Sequence, residues 1–352
     1  MGKTVTIKDV ALRAGVSKGT VDRVVHNRGV VSKESAQRVL EAIKELNYVP
    51  DRHAAMLATR TVRTIACLIP SSESGGYWDM INDGIQTATA AIKEMNLRTE
   101  VFYFDMNDVH SFRDACRSLI ASEPAAAVVA PLFLAESIPF VDQLANRGIP
   151  YVYIDTKIEE SRSLAYFGMP KYDSGYLCAS LLTFKIPAEE LRKIVIIRVS
   201  RDRHGLSDPT VNRREGFCDY IYEHFPNCQI FNVFISPNAT VEEIQDNLDR
   251  FFSENPDVRH IAMLSSRIHL IGNYLRTHMK DGLIVIGFDN LKSNIDLLKD
   301  GTIDILISQK IEEQSIRALR VMSDYLLLFK RPEKRDNYMH MDILTKLNIA
   351  DY

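Results

Sequence analysis

Two periodicities divide the chain. Between Ile7 and Leu46, apolar residues recur at helical spacing: Ile7, Val10, Ala11 and Ala14, then Val21, Val24 and Val25, then Ala36, Val39, Leu40, Ile43 and Leu46. That spacing predicts three short amphipathic helices. Thr6 with Asp9 forms a capping-box pattern before the first, Gly15 ends it, Ser17 can cap the second, and the third starts from Ser32. Two short helices about a glycine turn, braced by a third, make a helix-turn-helix unit. From Thr64 the pattern changes to short apolar runs at 65–69, 101–104, 126–130 and 151–154, and again at 194–197, 230–234, 260–264, 283–286 and 303–307. Helices are expected between them, over 79–96, 108–122, 135–147, 173–185 and 311–329. Near-continuous apolar strands alternating with helices predict parallel sheets covered on both faces. Two such series predict two α/β lobes with a cleft between them, and the loops after strands are where ligands of open α/β sheets bind.

Charge sorts along the same division. Residues 1–60 carry 11 Lys and Arg against 6 Asp and Glu, whereas the remaining 292 carry 32 against 40. A basic helical unit joined to an acidic α/β body suits a module that meets phosphate, attached to one that does not. On helix 17–25 the valines share one face while Lys18, Gly19, Asp22 and Arg23 share the other. A DNA major groove about 12 Å wide admits such a helix, so Lys18, Gly19 and Arg23 are the candidates to face bases. Thr6, Ser17, Thr20, His26, Ser32 and Ser35 are the candidates for phosphate contacts. The bland alternative is a three-helix packing module.

Composition narrows the class further. At 352 residues, 46% hydrophobic and 25% charged, the chain has the make-up of a soluble protein of two or three domains. No apolar run approaches the roughly 20 residues needed to span a membrane, and Met1 to Thr4 open directly into structure, so a cytoplasmic location is expected. Five scattered cysteines without CxxC spacing fit buried thiols in a reducing compartment, and nine histidines show no ligand spacing; no metal or cofactor is expected. Gly15-Val16-Ser17-Lys18-Gly19 satisfies the G-x-S-x-G pattern, but helices flank it and no strand precedes it, so it is no nucleophile elbow.

Val5-Thr6-Ile7-Lys8-Asp9-Val10-Ala11, Ala14-Gly15-Val16-Ser17, Thr20-Val21, Arg23-Val24 and Leu46-Asn47-Tyr48-Val49-Pro50 resemble the headpiece of LacI/GalR-family transcriptional repressors. Asp22 stands where the family usually has serine, and Ala55 where a hinge arginine is common, which bears on the operator sequence. The α/β region is similar to the family's periplasmic-binding-protein-like effector domain, on Arg213-x-x-Gly216-Phe217 and Gly287-Phe288-Asp289. The resemblance implies an all-α headpiece at 1–50, a hinge helix at 51–61 whose Leu57 wedges into the minor groove, and a two-lobed type I effector and dimerisation domain at 62–352. It places three crossings near 160, 290 and 322, giving a first lobe of about 62–159 and 291–321 and a second of about 160–290 and 322–352. Double-stranded operator DNA, a small carbohydrate-like effector and a second copy of the chain are the implied partners. Exposed apolar residues of helices 79–96 and 311–329 are the expected dimer contact.

For the effector, Tyr77 and Trp78 can stack on a sugar face or simply seal the top of the first helix, Asp79 or Asp83 can accept from hydroxyls, and Arg213, Asp289 and Gln309 match ligand-gripping positions of the family. Two departures stand out. Pro170 followed by Lys171, and Ser266 followed by Arg267, occupy positions where the family usually has acidic hydroxyl acceptors. Arg201, Arg203 and His204 lie on a neighbouring loop. Burying several cations without anions is costly, so Lys171, Arg213 and Arg267 point to an effector carrying negative charge: a uronate, sugar acid or sugar phosphate. The alternative is a neutral-sugar site, or a sugar-binding protein or sugar-modifying enzyme in which the headpiece only packs.

Overall fold

The structure, a computed structural model, describes residues 5–25, 31–46, 48, 62–199, 210–236, 238–278 and 282–351. His26, Leu57, the whole hinge at 51–61 and the cations Arg201, Arg203 and His204 lie outside the described residues.

The three headpiece helices form as their caps dictate. Helix α1 (Ile7–Ala14) starts where the Asp9 carboxylate accepts the Thr6 N–H at 2.8 Å and its hydroxyl at 2.7 Å. It stops at Gly15, whose φ of +63° is left-handed and whose N–H closes back on Ala11 and Leu12. Helix α2 (Lys18–Val25) follows Ser17, whose Oγ accepts the Thr20 N–H at 3.0 Å. Helix α3 (Lys33–Glu45) follows Ser32, which accepts from the Ser35 N–H. Val10, Ala11, Ala14, Val21, Val39 and Ala42 form the small core. Leu40, expected in that core, is 54% exposed: Val39 and Ala42 already fill the side of α3 that α1 and α2 reach.

The α/β body comprises two six-stranded sheets. The first lobe contains β1 (Arg63–Pro70), α4 (Tyr77–Ile92), β2 (Leu97–Phe104), α5 (Val109–Ala121), β3 (Ala126–Val129), α6 (Leu134–Asn146), β4 (Tyr151–Ile154) and β5 (Tyr166–Gly168). The second contains α7 (Lys171–Leu182), β6 (Lys193–Val199), α8 (Thr210–His224), β7 (Gln229–Ile235), α9 (Val241–Glu254), β8 (His260–Met263), α10 (His269–His278), β9 (Ile284–Phe288), α11 (Lys292–Lys299) and β10 (Ile305–Ser308). The chain then returns through α12 (Ile311–Leu328) and β11 (Asp336–Tyr338) to the first lobe, and ends in the second with β12 (Asp342–Leu344). Strand orders are β11-β5-β4-β3-β1-β2 and β12-β10-β9-β8-β6-β7, parallel except for β12, which runs antiparallel to β10. The central strands are buried along their length, which is why they read as unbroken apolar runs.

The crossings differ from those expected near 160, 290 and 322. They fall at 169–170, 309–310 and 339–341, between β5 and α7, β10 and α12, and β11 and β12. Position 160 precedes β5, a three-residue strand that still pairs with β4 and β11 in the first sheet. Helix α11 and β10 stay in the second lobe, and position 322 lies inside α12, whose Ala318, Leu319 and Met322 belong to the first lobe's core. The helices expected to carry the dimer contact partly cover each other. Helices α4 and α12 pack on each other, Ser315 Oγ donating to the Ile81 carbonyl at 2.8 Å, and none of the exposed large hydrophobics among the described residues lies on either helix.

Candidate functional site

Two surfaces could act on other molecules. On the headpiece, the packing of Val21 inward turns Lys18, Gly19 and Arg23 outward, all exposed on one face of α2. Thr6 and Ser17 beside it, and Ser32 at the start of α3, are exposed, with Thr20 and Ser35 half-buried. Their hydroxyls hold helix ends: Thr6 donates to Asp9, Ser17 pairs with Thr20 at 3.0 Å, and Ser32 with Ser35 at 2.9 Å. At α2 and α3 a hydroxyl pair thus stands at the helix start, where backbone N–H groups favour an anion, whereas at α1 the Asp9 carboxylate already takes that place.

The second surface lies between the lobes, at the C-terminal ends of both sheets. Its centre is Asp155, directly after β4, in a left-handed backbone conformation at φ +61°. One carboxylate oxygen accepts the Tyr77 hydroxyl at 2.9 Å from the start of α4 and the Lys171 ammonium at 2.9 Å from the start of α7. Gln314 of α12 completes the cluster, accepting the Asp155 N–H and donating to the Tyr77 hydroxyl, both at 3.2 Å. Lys171 thus joins the second lobe to the first through an ion pair whose side chains are 14% and 7% exposed. Burial alone would raise the Asp155 carboxyl, but Lys171, with help from the Tyr77 hydroxyl and the Arg213 charge, holds the group below the usual range.

Facing this cluster is Arg213, 4% exposed on α8. Helices α7 and α8 approach closely enough there that a Cβ on Gly175 would strike the Arg213 carbonyl, and one on Gly216 the Tyr172 carbonyl. The guanidinium donates to Ser174 Oγ at 3.0 Å, the Leu264 carbonyl at 2.6 Å and Met169 Sδ at 3.3 Å, and lies over the Phe288 ring at 3.9 Å. Among the described residues no carboxylate is within hydrogen-bond reach of it. Beside it Asp289, directly after β9 at φ +71°, accepts from Gln309 Nε2 at 2.9 and 3.1 Å, while Gln309 Oε1 is buried without a partner. Burial pushes the Asp289 carboxyl up to about 6, against the pull of Arg213 and Gln309. Asn294 pins the loop, donating to the carbonyls of Ser266, Phe288 and Asp289.

Of the expected effector residues, Tyr77, Lys171, Arg213, Asp289 and Gln309 come together here. Trp78 does not: it is buried in the first lobe's core, edge-on to Tyr77 at 5.2 Å. Asp79 accepts the Gly75 N–H at 2.7 Å and so closes the loop before α4. Arg267 stands at the rim, its Nη2 4.0 Å from Met106 Sδ of the other lobe. The expectation that the cleft's cations lack acidic neighbours is corrected by Asp155. Asp155 and Gln314 were not anticipated, although Asp155 follows its strand as Asp289 does. Among the described residues no cluster of three His, Cys, Asp or Glu could hold a metal ion, and no helix is long and apolar enough to cross a membrane.

Comparison with known proteins agrees with this division. The family model described as bacterial regulatory proteins, lacI family, matches residues 6–51, and the periplasmic binding protein domain matches residues 65–330. The chain is 28% identical to the ribose operon repressor of Halalkalibacterium halodurans over 98% of this chain and 96% of that protein. It is 23% identical to the transcriptional regulator MalR of Streptococcus pneumoniae over 91% of this chain and 93% of the other. A solved structure from Bacteroides fragilis assigned to the LacI transcriptional regulators is 34% identical, with a TM-score of 0.76, over 82% of this chain and 99% of that one. A solute-binding protein of Agrobacterium radiobacter in complex with D-arabinose, 18% identical with a TM-score of 0.69 over 83% of this chain and 97% of that one, shares the fold alone.

Proposed function

Because the chain belongs to the LacI family of bacterial regulatory proteins, a family of transcriptional repressors rather than enzymes, we propose that it represses transcription from a pseudo-palindromic operator as a homodimer. Its site of action is then chromosomal DNA in the cytoplasm. Lys18, Gly19 and Arg23 meet base edges in the major groove, with Arg23 reading a guanine through its two-pronged guanidinium. Thr6, Ser17, Thr20, His26, Ser32 and Ser35 meet phosphates, and Leu57 wedges the minor groove from the hinge. A packing-only headpiece, as in a transport-type or sugar-modifying protein, is disfavoured by the outward display of Lys18 and Arg23 beside three polar helix starts.

The effector reading is a small, carbohydrate-like molecule that carries negative charge. One observation carries it: Arg213 is buried at the cleft with only neutral hydrogen-bond partners, and of the two carboxylates whose charge acts on it, Asp289 is pushed toward the neutral form and Asp155 is bonded to Lys171. Asp155 balances Lys171, which leaves Arg213 as the buried cation best able to meet a carboxylate or phosphate. Hydroxyls find Tyr77, Gln309 and Asp289 around it. A thermal-shift panel of neutral sugars, sugar acids and sugar phosphates tests this. Stabilisation by acids or phosphates, lost in Arg213→Gln, is the expected result; stabilisation by a neutral sugar alone, undiminished in that variant, overturns the charge assignment.

A further inference from the structure

Two carboxylates, Asp155 and Asp289, and two cations, Lys171 and Arg213, meet at the cleft, and their hydrogen bonds divide them unequally. Asp155 is engaged on both oxygens: Oδ1 accepts the Tyr77 hydroxyl and the Lys171 ammonium, each at 2.9 Å, and Oδ2 accepts the Thr156 hydroxyl at 3.2 Å. Asp289 is engaged likewise, both of its oxygens accepting from Gln309 Nε2. Arg213, by contrast, donates only to a hydroxyl, a carbonyl and a thioether sulfur. Of the three side chains that donate to Asp155, Lys171 alone comes from the other lobe. It is the first residue of α7, directly after the crossing at Pro170, and its side chain is 14% exposed. Tyr77 is steadied by Gln314, which donates to its hydroxyl at 3.2 Å, and Thr156 is the next residue along the chain, so both belong to the first lobe's own frame. The ammonium stands where a ligand lying between the lobes would bring a donor of its own.

We propose that Lys171 is a tethered occupant of the effector site: its ammonium takes the place of a sugar hydroxyl on Asp155, bars neutral sugars from the cleft, and leaves Arg213 as the group that a ligand meets. The proposal rests on the cleft being the effector site, and it makes Lys171 the residue that sets the charge of the ligand accepted there. A hydroxyl that reaches Asp155 must displace the ammonium, which exchanges a charge-assisted bond for a weaker one and strands a cation at an enclosed site. An acid or phosphate on Arg213 requires no such exchange, because the present partners of the guanidinium are neutral. Without the ammonium the balance reverses. Asp155 then lacks a donor on Oδ1 and takes one from a ligand, and a hydrogen bond to a charged group is worth about ten- to a hundredfold in affinity. The same change leaves the cleft with one positive charge fewer, so acids are held less well.

Calorimetric titration of the full-length protein tests this, with D-ribose, D-arabinose and D-glucose as neutral probes and D-glucuronate, D-gluconate and glucose phosphate as anionic ones. The wild type should bind an anionic probe and no neutral one. Lys171→Ala should bind a neutral probe about tenfold or more tighter than the wild type does, and anionic probes several-fold more weakly. Lys171→Arg, which keeps a cation on Asp155, should keep the wild-type pattern. A merely structural lysine would not raise the affinity for a neutral sugar when removed. If Lys171→Ala fails to fold, Lys171→Met retains the packing of the stem and is read in the same panel. In the ligand-free wild type, nuclear magnetic resonance should show a slowly exchanging Lys171 ammonium, missing in Lys171→Arg; its absence overturns the occupancy directly. Anionic probes that bind the wild type, with no gain of a neutral sugar in the variants, overturn the role of Lys171 and leave the effector reading standing. A neutral sugar bound equally well by wild type and Lys171→Ala overturns that role too. No binding of any probe to any of these proteins overturns both.

Discussion

Asp155 and Asp289 occupy equivalent places after adjacent-to-cleft strands, yet their protons respond to pH in opposite directions. The Asp289 carboxyl stands at about 6 in the folded protein against an ordinary 3.8, so folding is favoured by its protonated form. Its contribution falls as pH rises from the ordinary value through about 6, and Asp289→Asn, which mimics the neutral form, should raise stability at pH 7 by about 1–3 kcal/mol and leave it nearly unchanged at pH 4. Denaturant unfolding of both proteins across pH 4–7 reads this; a variant less stable at pH 7 contradicts it. Asp155 is depressed, so its stabilisation is present above the ordinary carboxylate range and is lost as pH falls through its folded value. Asp155→Ala strands the Lys171 ammonium at a largely enclosed site and should cost about 3–5 kcal/mol, whereas Lys171→Met with Asp155→Leu should recover most of it. On the headpiece, Arg23→Ala should cost about 1–3 kcal/mol at one operator base pair. Equal loss on specific and random DNA would remove Arg23 from base reading.

At the scale of elements, the cleft is aimed by two glycines in the helices behind it. Helices α7 and α8 cross with Gly175 against the Arg213 backbone and Gly216 against the Tyr172 backbone, and α7 also carries Lys171 and Ser174. Gly175→Ala must separate the helices, which should cost about 1–3 kcal/mol and displace Arg213 from Phe288. Effector stabilisation in the thermal-shift assay should fall with it, while operator binding by the headpiece persists. Loss of operator binding with an intact fold would show that α7 and α8 serve the DNA-bound state directly. In the headpiece Gly15 turns α1 into α2 at φ +63° with its Cβ position open apart from the Arg38 side chain, so Gly15→Ala costs backbone strain more than collision.

At the scale of the molecule, the proposed function requires a coupling between cleft and operator. A ligand alters operator affinity only by binding two states unequally, typically a coupling of about 1–3 kcal/mol. Leu57→Gly should weaken specific operator binding while leaving effector stabilisation in place; loss of effector binding instead would mean that the division at the hinge is misplaced. Helices α4 and α12 cover part of each other's apolar surface, so a dimer contact there would use the sides they leave outward. Sedimentation should show a dimer at micromolar concentration, and a monomer with full operator affinity would refute two-fold pairing of half-sites.

Reading the chain by itself determined the three headpiece helices and their caps, the outward Lys18 and Arg23, nine of the strands, and Tyr77, Arg213, Asp289 and Gln309 as cleft residues. The helices and strands follow from local rules: helical periodicity, capping chemistry within three residues, and burial of parallel strands on both faces; Arg213 and Gln309 come from the family resemblance, and Tyr77 and Asp289 also from their places after strands. The three-residue strands β5, β11 and β12 have too few positions to show a pattern, and they fix where the chain changes lobe. Trp78 in a core, Leu40 outside one, and α4 covered by α12 were decided by which neighbour reaches each face, which spacing along a helix does not specify. Asp155 became the centre of the cleft only because Tyr77, Lys171 and Gln314 converge on it from 78, 16 and 159 residues away. Charge balance at a buried site is a sum over partners brought together by the fold, so the sequence could present the cations while only the tertiary structure decided which of them Asp155 had already answered.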